Sequence, residues 1–331
     1  MVVGMTVTPE TANVPIESGG DVLDIVIIGA GISGIGAAYH LGQQTPGARY
    51  VVLERRERIG GTWDLFSYPG VRSDSSIFTL SWPWEPWRGK EYVADGDQIR
   101  DYMEDTARKH GIYPHIHFGT EVQSAAWDSA TDTWTTHVTE EGQPKTYRSR
   151  FVFFGSGYYN YDKPYSPDFP GSADFAGTLV HPQFWPNDLD YTGKKIVVIG
   201  SGATAVSMVP ALARKAAKVT MLQRSPGYLF SMPRVNPVYA ALRTVLPKQA
   251  SYSIIRSAAL VFEKVLWVIA RRFPNAVRGF VRRQNVSLLP QGYPVDVDFK
   301  PNYNPWDERM CLVADGDVFT EIAKGRLEVI T

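Results

Sequence analysis

One short pattern occurs twice in this chain, and it restricts the fold more than any other feature of the sequence. In each copy an apolar run ends in a Gly-x-Gly turn, a stretch of helical character follows, and a second apolar run comes next. The two copies cover residues 24–53 and 195–222. Short apolar runs separated by a helical stretch are typical of parallel strands joined by a crossover helix. The sequence therefore predicts an α/β fold that contains two β-α-β units.

The rest of the sequence is organised around these two units. Alternating apolar and polar residues predict antiparallel strands at 120–127, 134–138 and 147–154. A section rich in Pro, Tyr, Asp and Gly at 158–192 is typical of a connection between domains. After residue 226, helical stretches broken by prolines predict an insertion. We expect a disordered tail at 1–20, a first domain at 21–160, a linker at 161–193, and a second domain at 194–331 with a helical insertion at about 228–300.

Composition removes several classes of function. Lys plus Arg and Asp plus Glu both number 34, so the formal net charge of zero gives no electrostatic reason to expect a nucleic acid partner. The single cysteine, Cys311, excludes an internal disulfide and the dithiol pair that disulfide-reducing enzymes use. Residues 1–20 lack the basic start and apolar stretch of a secretory signal. These features together predict a cytoplasmic protein.

An apolar segment at 257–271 has two interpretations. It contains a Glu and a Lys, and a helix that crosses a bilayer needs about 20 mostly apolar residues, so we do not expect it to cross a membrane. The first interpretation is a helix that packs on its own protein. The second is peripheral contact with a membrane surface, because Arg256, Arg271 and Arg272 supply a basic flank.

The first glycine turn has the residues that a dinucleotide needs. Gly29, Gly31 and Gly34, with Ser33 between them, follow a predicted strand and open a predicted helix, so backbone N–H groups can approach a pyrophosphate. Glu54 ends the second strand, 20 residues after Gly34, where a carboxylate accepts hydrogen bonds from a ribose diol. A turn that served only helix packing would not require an acid at this spacing. The first half is therefore predicted to bind a dinucleotide with a free ribose diol.

The second glycine turn differs from the first at the end of its second strand. Gly200, Gly202 and Ala205 repeat the phosphate-binding turn, and alanine still permits close packing of helix on strand. Arg224 stands 24 residues after Gly200, nearly the position that Glu54 has in the first unit. A cation there suits a ribose 2′-phosphate and favours NADPH over NADH, although a solvated surface arginine is the alternative. The other residues of this predicted site are Ser201, Ala203, Thr204 and Ser225. The two units thus predict Rossmann-like domains for two dinucleotides.

Two longer motifs carry a family resemblance. Residues 60–74 read Gly-Gly-Thr-Trp-Asp-Leu-Phe-Ser-Tyr-Pro-Gly-Val-Arg-Ser-Asp, and 175–186 read Phe-Ala-Gly-Thr-Leu-Val-His-Pro-Gln-Phe-Trp-Pro. The second motif has its fixed positions at Phe175, Gly177, His181 and Trp185. Both motifs resemble those of Baeyer–Villiger monooxygenases, which are class B flavoprotein monooxygenases that use FAD and NADPH. Residues 157–162, 181–191 and 303–309 look most similar to the ethionamide-activating branch of that family.

The resemblance assigns further residues to the cofactors and to catalysis. It implies the FAD residues Thr62, Trp63, Asp64, Leu65, Asp74 and Val122, and the NADPH residues Arg72 and Ser73. Arg309 matches the family's catalytic arginine, which stabilises an anionic peroxyflavin, and Asp74 orients it through a carboxylate–guanidinium pair. Glu308 departs from the pattern, since some relatives have a lysine there that holds the NADPH phosphate, so more of this work falls to Arg224. His181 is interpreted either as a satisfied structural histidine or as a residue that couples the domains.

The activity implied by the resemblance is an oxygenation. NADPH reduces FAD, and O2 then forms a peroxide of the flavin. One oxygen atom from this peroxide enters a small apolar ketone, which becomes an ester, or is added to a thioether. A heteroatom-hydroxylating flavin monooxygenase shares the glycine turns, but Trp63 and the Trp-Pro end of the second motif argue against it. Relatives continue beyond the position of Thr331, so the last strands of both domains are expected to be absent, and a catalytically silent nucleotide-binding remnant is the alternative. No metal site is predicted, because His115 and His117 have no further clustered ligands.

Overall fold

The computed structural model describes residues 22–308 and 310–331. The predicted tail at 1–20 and Arg309 therefore lie outside the described residues. The described chain forms two compact units, each containing one of the predicted β-α-β units. Unit 1 combines the described residues up to Leu65 with Asp97–Tyr165, and unit 2 combines Phe66–Gly96 with Ser166–Thr331. The segment Phe66–Gly96 thus belongs to unit 2, whereas the sequence-based boundaries place it in the first domain.

Helices and strands alternate as an α/β fold requires. In chain order they are β1 (Val22–Ile28), α1 (Ile32–Gln44), β2 (Tyr50–Leu53), α2 (Thr62–Leu65), α3 (Ile77–Leu80), α4 (Gly96–Lys109), β3 (Ile116–His117), β4 (Thr120–Asp128), β5 (Thr133–Glu140), β6 (Gln143–Phe154), β7 (Lys195–Ile199), α5 (Ala203–Ala213), β8 (Lys218–Leu222), β9 (Tyr228–Met232), α6 (Pro237–Val245), α7 (Lys248–Arg272), α8 (Pro274–Leu288), α9 (Val295–Asp298), β10 (Met310–Ala314), α10 (Asp317–Ala323) and β11 (Leu327–Ile330). The predicted α/β class is confirmed.

Unit 1 is built on one six-stranded sheet with the strand order β3-β2-β1-β6-β5-β4. The central strand β1 pairs in parallel with β2 and β6, and β4, β5 and β6 form an antiparallel meander, as predicted. The continuous apolar run of β1 reflects burial on both faces of the sheet: Val26 and Ile27 have no exposed surface, and Val51 of β2 has none either. This arrangement brings the carboxyl ends of β1 and β2 to one edge, where α1 begins.

A buried polar cluster lies at the junction of the parallel and antiparallel parts of this sheet. Nδ1 of His117 lies 3.1 Å from Glu140 Oε1 and 3.0 Å from the Tyr147 hydroxyl. Lys145 Nζ pairs with the other oxygen of Glu140 at 2.6 Å. Burial lowers the pKa of His117, and the carboxylate of Glu140 acts in the opposite direction. The net effect of this cluster is a pKa of His117 below its ordinary value.

Unit 2 has two small parallel sheets. One has the order β11-β8-β7, and the other pairs β10 with β9. The apolar core of the unit includes Val209 and Leu212 of α5, Val219 of β8 and Phe319 of α10, all of which are fully buried. The second predicted β-α-β unit, β7-α5-β8, is thereby confirmed.

The insertion after residue 226 begins differently from the prediction. The sequence predicts mainly helices from about 228, but Tyr228–Met232 forms β9, and the helices α6, α7 and α8 start only at Pro237. The reason is that β9 obtains its hydrogen-bond partner from β10, a strand that lies far along the chain. Helix α7 contains the apolar segment 257–271; it buries Ile255 and Ala259, while Val261 remains exposed. No helix within the described ranges combines the length and apolar character required to cross a membrane.

Candidate dinucleotide sites

The first glycine turn joins β1 to α1 with almost no room for side chains. Gly29 has a φ of +96°, and a Cβ on it would lie 2.7 Å from the carbonyl oxygen of Gly155. A Cβ on Gly34 would lie 1.8 Å from the carbonyl oxygen of Gly29. Gly31 immediately precedes α1, and the nearest atom to a Cβ there would be the Cα of Gly61 at 3.6 Å. The turn thus offers bare main chain at a helix N-terminus, the surface that a pyrophosphate requires.

Glu54 stands at the end of β2 with its carboxylate already oriented. The side chain is buried, with Oε2 accepting the Ala30 N–H at 2.7 Å and Oε1 accepting the Arg56 N–H at 2.9 Å. Burial raises the pKa of the carboxyl group, and the hydrogen bonds from Arg56 and Ala30 lower it. A carboxylate oxygen accepts more than one hydrogen bond, so both oxygens retain capacity for ribose hydroxyls. The Glu54 carboxylate, predicted to bind a ribose, is therefore fixed by two main-chain hydrogen bonds and can still accept others.

The segment that follows Glu54 brings an ion-paired aspartate to the same edge. Asp64 is buried in α2, where Arg56 Nε lies 2.6 Å and Arg58 Nη2 lies 2.7 Å from its two oxygens. The N–H of Gly60 donates to the Ala30 carbonyl at 3.2 Å, which ties this segment to the glycine turn. The remaining FAD residues predicted in unit 1 are Ser33, exposed on α1, Thr62 and Trp63, partly exposed in α2, Leu65, buried in α2, and Val122, partly buried in β4.

The second glycine turn is more open than the first. Gly200 has a φ of +133°, and no described atom lies within 4 Å of a Cβ built on Gly200 or on Gly202. Ala205, at the third position, is buried in the core of unit 2. Ser201 Oγ donates to the carbonyl oxygen of Ser225 at 3.2 Å, which closes the turn against the end of β8. Helix α5 begins with the predicted residues Ala203 and Thr204. The second turn accommodates its alanine without strain.

The end of β8 presents Arg224 to solvent. The preceding Gln223 is buried, and its Nε2 donates to the Asp298 carbonyl at 2.8 Å and to Thr331 Oγ1 at 2.9 Å. Arg224 is exposed, and it forms no ion pair with any residue of 22–308 or 310–331. The buried amide therefore anchors the strand end and leaves the neighbouring guanidinium available for a phosphate group.

The signature segment 60–74 crosses the boundary between the units, since residues from Phe66 onward belong to unit 2. The hydroxyl of Tyr68 shares a hydrogen bond of 3.2 Å with Ser207 Oγ on α5. Gly70 has a φ of +86°, and a Cβ there would lie 2.4 Å from the Ser207 carbonyl oxygen. The second part of the signature therefore packs directly on the helix that follows the second glycine turn.

Arg72 and Ser73 are engaged by protein partners. Arg72 Nη1 lies 2.6 Å from Asp317 Oδ2 and Nη2 lies 3.2 Å from Oδ1, with the two side chains only 9% and 13% exposed. Ser73 is buried and its Oγ accepts the Ala94 N–H at 3.2 Å. Asp74 follows them and is partly exposed. These contacts occupy the side-chain groups that the resemblance assigns to NADPH, while Asp74 reaches the surface of the unit.

The second family motif is a local structure of unit 2. Nδ1 of His181 accepts the Gln183 N–H at 3.2 Å and so caps the short 3-10 helix that follows. Trp185 packs against the core of the unit. Phe175 is exposed, and its ring lies 2.5 Å from where a Cβ of Gly177 would stand. The contacts of His181 fit a structural histidine, and its coupling role stays a prediction.

The turn before Arg309 is held by a buried tyrosine and an arginine of the insertion. The Tyr228 hydroxyl donates to the Tyr303 carbonyl at 2.7 Å. Arg278 Nε donates to the same hydroxyl at 3.1 Å, and its Nη2 donates to Asn304 Oδ1 at 2.9 Å. Since β10 begins directly after Arg309 and pairs with β9, the described chain is anchored on both sides of that position. The catalytic assignment of Arg309 and its pairing with Asp74 stay predictions.

Sequence reasoning missed several polar partners that hold the predicted segments in place. Ser207, Asp317 and Asp298 each anchor a predicted segment, yet none of them belongs to a recognisable motif. An aspartate at the start of a helical stretch is the only local signal that Asp317 provides, and it indicates helix capping rather than a distant arginine.

The family described as pyridine nucleotide-disulphide oxidoreductase matches residues 26–240. Among curated relatives, the "FAD-containing monooxygenase EthA" of Mycolicibacterium smegmatis is 49% identical over 309 residues, which cover 93% of this chain and 63% of the relative. The "Putative FAD-containing monooxygenase MymA" of Mycobacterium tuberculosis is 48% identical over 315 residues, with the same two coverages. The chain thus spans 63% of the length of these relatives.

Solved structures share the fold at much lower identity. An "oxidized steroid monooxygenase bound to NADP" superposes with a TM-score of 0.76 at 22% identity and covers 94% of this chain and 65% of its own. A cyclohexanone-bound cyclohexanone monooxygenase superposes with a TM-score of 0.70 at 21% identity and covers 94% of this chain and 66% of its own. The resemblance predicted from the motifs is confirmed by these relatives. The chain belongs to the pyridine nucleotide-disulphide oxidoreductase family, and its curated relatives are FAD-containing monooxygenases.

Proposed function

We propose that the chain binds FAD in unit 1 and NADPH in unit 2. We propose further that it is part of a monooxygenase that oxygenates a small apolar ketone or thioether. The observation that carries this proposal is the difference between two equivalent strand ends. Glu54 directly follows β2 and has a buried carboxylate, whereas Arg224, two residues after the end of β8, is exposed. A carboxylate binds a free ribose diol and repels a 2′-phosphate, whereas a guanidinium binds that phosphate.

The residues of unit 1 fit FAD. The bare main chain of Gly29 and Gly31 at the start of α1 would bind the pyrophosphate, and Glu54 would bind the ribose of the adenosine half. Asp64, paired with Arg56 and Arg58, keeps two cationic side chains at the same edge as Glu54. Bound FAD supplies the redox chemistry that activates O2, and the residues of the chain bind and orient it.

The residues of unit 2 fit NADPH. The N-terminus of α5 follows Gly200 and Gly202, where the lack of nearby atoms leaves space for a phosphate group. Arg224 would pair with the 2′-phosphate, and Ser201 and Ser225 flank it. Gln223 keeps the guanidinium at the strand end because its own amide is buried and hydrogen-bonded.

Oxygenation is favoured over disulfide reduction, the chemistry for which the family is named. Disulfide exchange by these enzymes requires two neighbouring thiols, and this chain has Cys311 alone, which is buried. The curated relatives are named as monooxygenases, and one solved neighbour holds a ketone, cyclohexanone. In the proposed reaction Arg309 would stabilise developing negative charge next to the flavin, and Asp74 would orient it.

A spectroscopic experiment tests the proposal. The purified chain is supplied with FAD under anaerobic conditions and titrated with NADPH or with NADH. We expect the flavin absorbance to bleach at a lower concentration of NADPH than of NADH. Admission of air with a cyclic ketone or a thioether should then yield an ester or a sulfoxide. Absence of bleaching would identify a nucleotide-binding chain without redox activity. Formation of sulfoxide from the thioether, with no ester from the ketone, would favour a heteroatom-hydroxylating enzyme.

A further inference from the structure

The contacts of Arg72 in unit 2 indicate a role other than binding the cofactor. We propose that Arg72 is a positioning residue: its largely shielded pair with Asp317 fixes the segment 68–74 on unit 2 and thereby sets the place of Asp74. The inference rests on the proposed function, because Asp74 matters there as the carboxylate that orients the catalytic arginine. It assigns a role in the reaction to Asp317, a residue that no motif identifies.

Three successive contacts seat the segment on two helices. Tyr68 and Gly70 both rest on Ser207 of α5, the first through its hydroxyl and the second through close main-chain packing. Arg72 then reaches the first residue of α10, Asp317, with two parallel N–H···O contacts. Because α5 begins at the second glycine turn, these contacts set the segment at a fixed distance from the proposed phosphate site.

Main-chain hydrogen bonds also hold the residues on both sides of Arg72. The N–H of Gly96 donates to the Val71 carbonyl at 2.9 Å, and the N–H of Ser73 donates to the Ala94 carbonyl at 2.9 Å. Ser73 is 1% exposed, whereas Asp74 is partly exposed. After Asp74 the main chain is tied again at Ile77, whose N–H donates to the Tyr92 carbonyl at 2.8 Å, so Asp74 lies in a short segment held on both sides.

The bidentate geometry and low exposure of the pair argue against a direct role for Arg72 in binding phosphate. Both Nη atoms face the carboxylate of Asp317, and the Arg72 side chain is 9% exposed. To bind a phosphate, Arg72 would leave a carboxylate that is itself 13% exposed without its partner. An uncompensated buried charge is strongly unfavourable, so the pair is expected to persist when NADPH binds.

Two single variants distinguish positioning from binding. Arg72→Lys keeps the charge and loses the planar fork, and Asp317→Asn keeps the shape and loses the charge. A positioning role predicts that both variants lower kcat for product formation about 10- to 100-fold, because small displacements of an orienting group are costly, with KM for NADPH near the wild-type value. A binding role predicts instead that Arg72→Lys raises KM, while Asp317→Asn, which releases the arginine, does not.

A double variant and a matched control guard against a trivial loss of folding. Arg72→Gln combined with Asp317→Asn removes both charges, so no buried charge is left alone, and it should show the same kcat defect as the single variants. Arg282 pairs with Asp296 through two hydrogen bonds on the same unit, but both side chains are about half exposed. Arg282→Lys and Asp296→Asn should leave kcat, KM and folding unchanged.

Two measurements remain informative if the proposed oxygenation does not occur. Amide hydrogen exchange at Ser73 and Gly96 should accelerate in Arg72→Lys and Asp317→Asn, and the affinity for NADP+ alone should not change. A wild-type chain that fails to oxidise NADPH would refute the proposed function without affecting these readouts. Unaltered exchange in both variants, or a loss of NADP+ affinity in Arg72→Lys alone, would overturn the positioning role.

Discussion

Replacing Gly34 by alanine tests the packing of α1 on the first glycine turn. A methyl group at this position would lie 1.8 Å from the carbonyl oxygen of Gly29 and 3.0 Å from its carbon. Favourable contacts between heavy atoms lie at about 3.5 Å or more, so the helix and the turn would have to separate by more than 1 Å. The obstacle is main chain rather than the tip of a flexible side chain, and it cannot be moved by a change of rotamer.

The size of the effect follows from this geometry and from a control on the same helix. Overpacking costs about 1–3 kcal/mol, and a clash with main chain places Gly34→Ala at the upper end of that range. Gly42 lies in α1 with no described atom within 4 Å of a Cβ, so Gly42→Ala should stabilise the chain by about 0.5–1 kcal/mol through helix propensity. The two variants should differ by roughly 4 kcal/mol, about a thousandfold in the folding equilibrium.

Urea unfolding and flavin retention measure these differences. The unfolding midpoint, followed by circular dichroism, should fall in Gly34→Ala and rise slightly in Gly42→Ala. FAD should be lost from Gly34→Ala during purification, because the displaced turn is the proposed pyrophosphate site, and it should be retained by Gly42→Ala. Equal midpoints for Gly34→Ala and the wild type, or equal losses in both variants, would refute the packing argument.

Three further predictions concern other parts of the chain. Arg224→Gln should raise KM for NADPH about 10- to 100-fold with little change in KM for NADH, because a charge-assisted contact is lost. The control Arg214→Gln, at the exposed end of α5, should change neither KM. An equal effect of Arg224→Gln on both coenzymes would contradict the 2′-phosphate assignment. Burial lowers the pKa of His117 below its ordinary value of about 6.5, so the unfolded chain binds more protons there. Stability present above about pH 6.5 should fall as pH decreases, and His117→Gln should flatten the urea midpoint between about pH 7 and 5. Tyr228→Phe removes the hydroxyl that holds Tyr303, so the yield of product per NADPH should fall roughly tenfold while NADPH oxidation continues; an unchanged yield would show that this turn is not positioned by Tyr228.

Much of the fold could be predicted because its signals are local. The strands at both nucleotide turns have continuous apolar runs, and the helices after them begin at glycines, so short windows of sequence contain the information. Glu54 and Arg224 were predicted as site residues from their spacing, since a β-α-β unit places the end of its second strand at a nearly constant distance from the first glycine. β9 was missed for the opposite reason, because a short strand is stable only with a partner, and its partner β10 is some 80 residues further along the chain.

The sequence by itself determined the two nucleotide turns, the opposite charges at their strand ends and the family to which the chain belongs. Only the tertiary structure decided which unit holds the second half of the signature segment and which residue pairs with Arg72. The physical reason is that a shielded ion pair forms where the fold brings two charged side chains together, and Arg72 and Asp317 are 245 residues apart in the sequence. The spacing of the two residues along the chain does not predict this contact, whereas the folded unit places Arg72 Nη1 2.6 Å from Asp317 Oδ2.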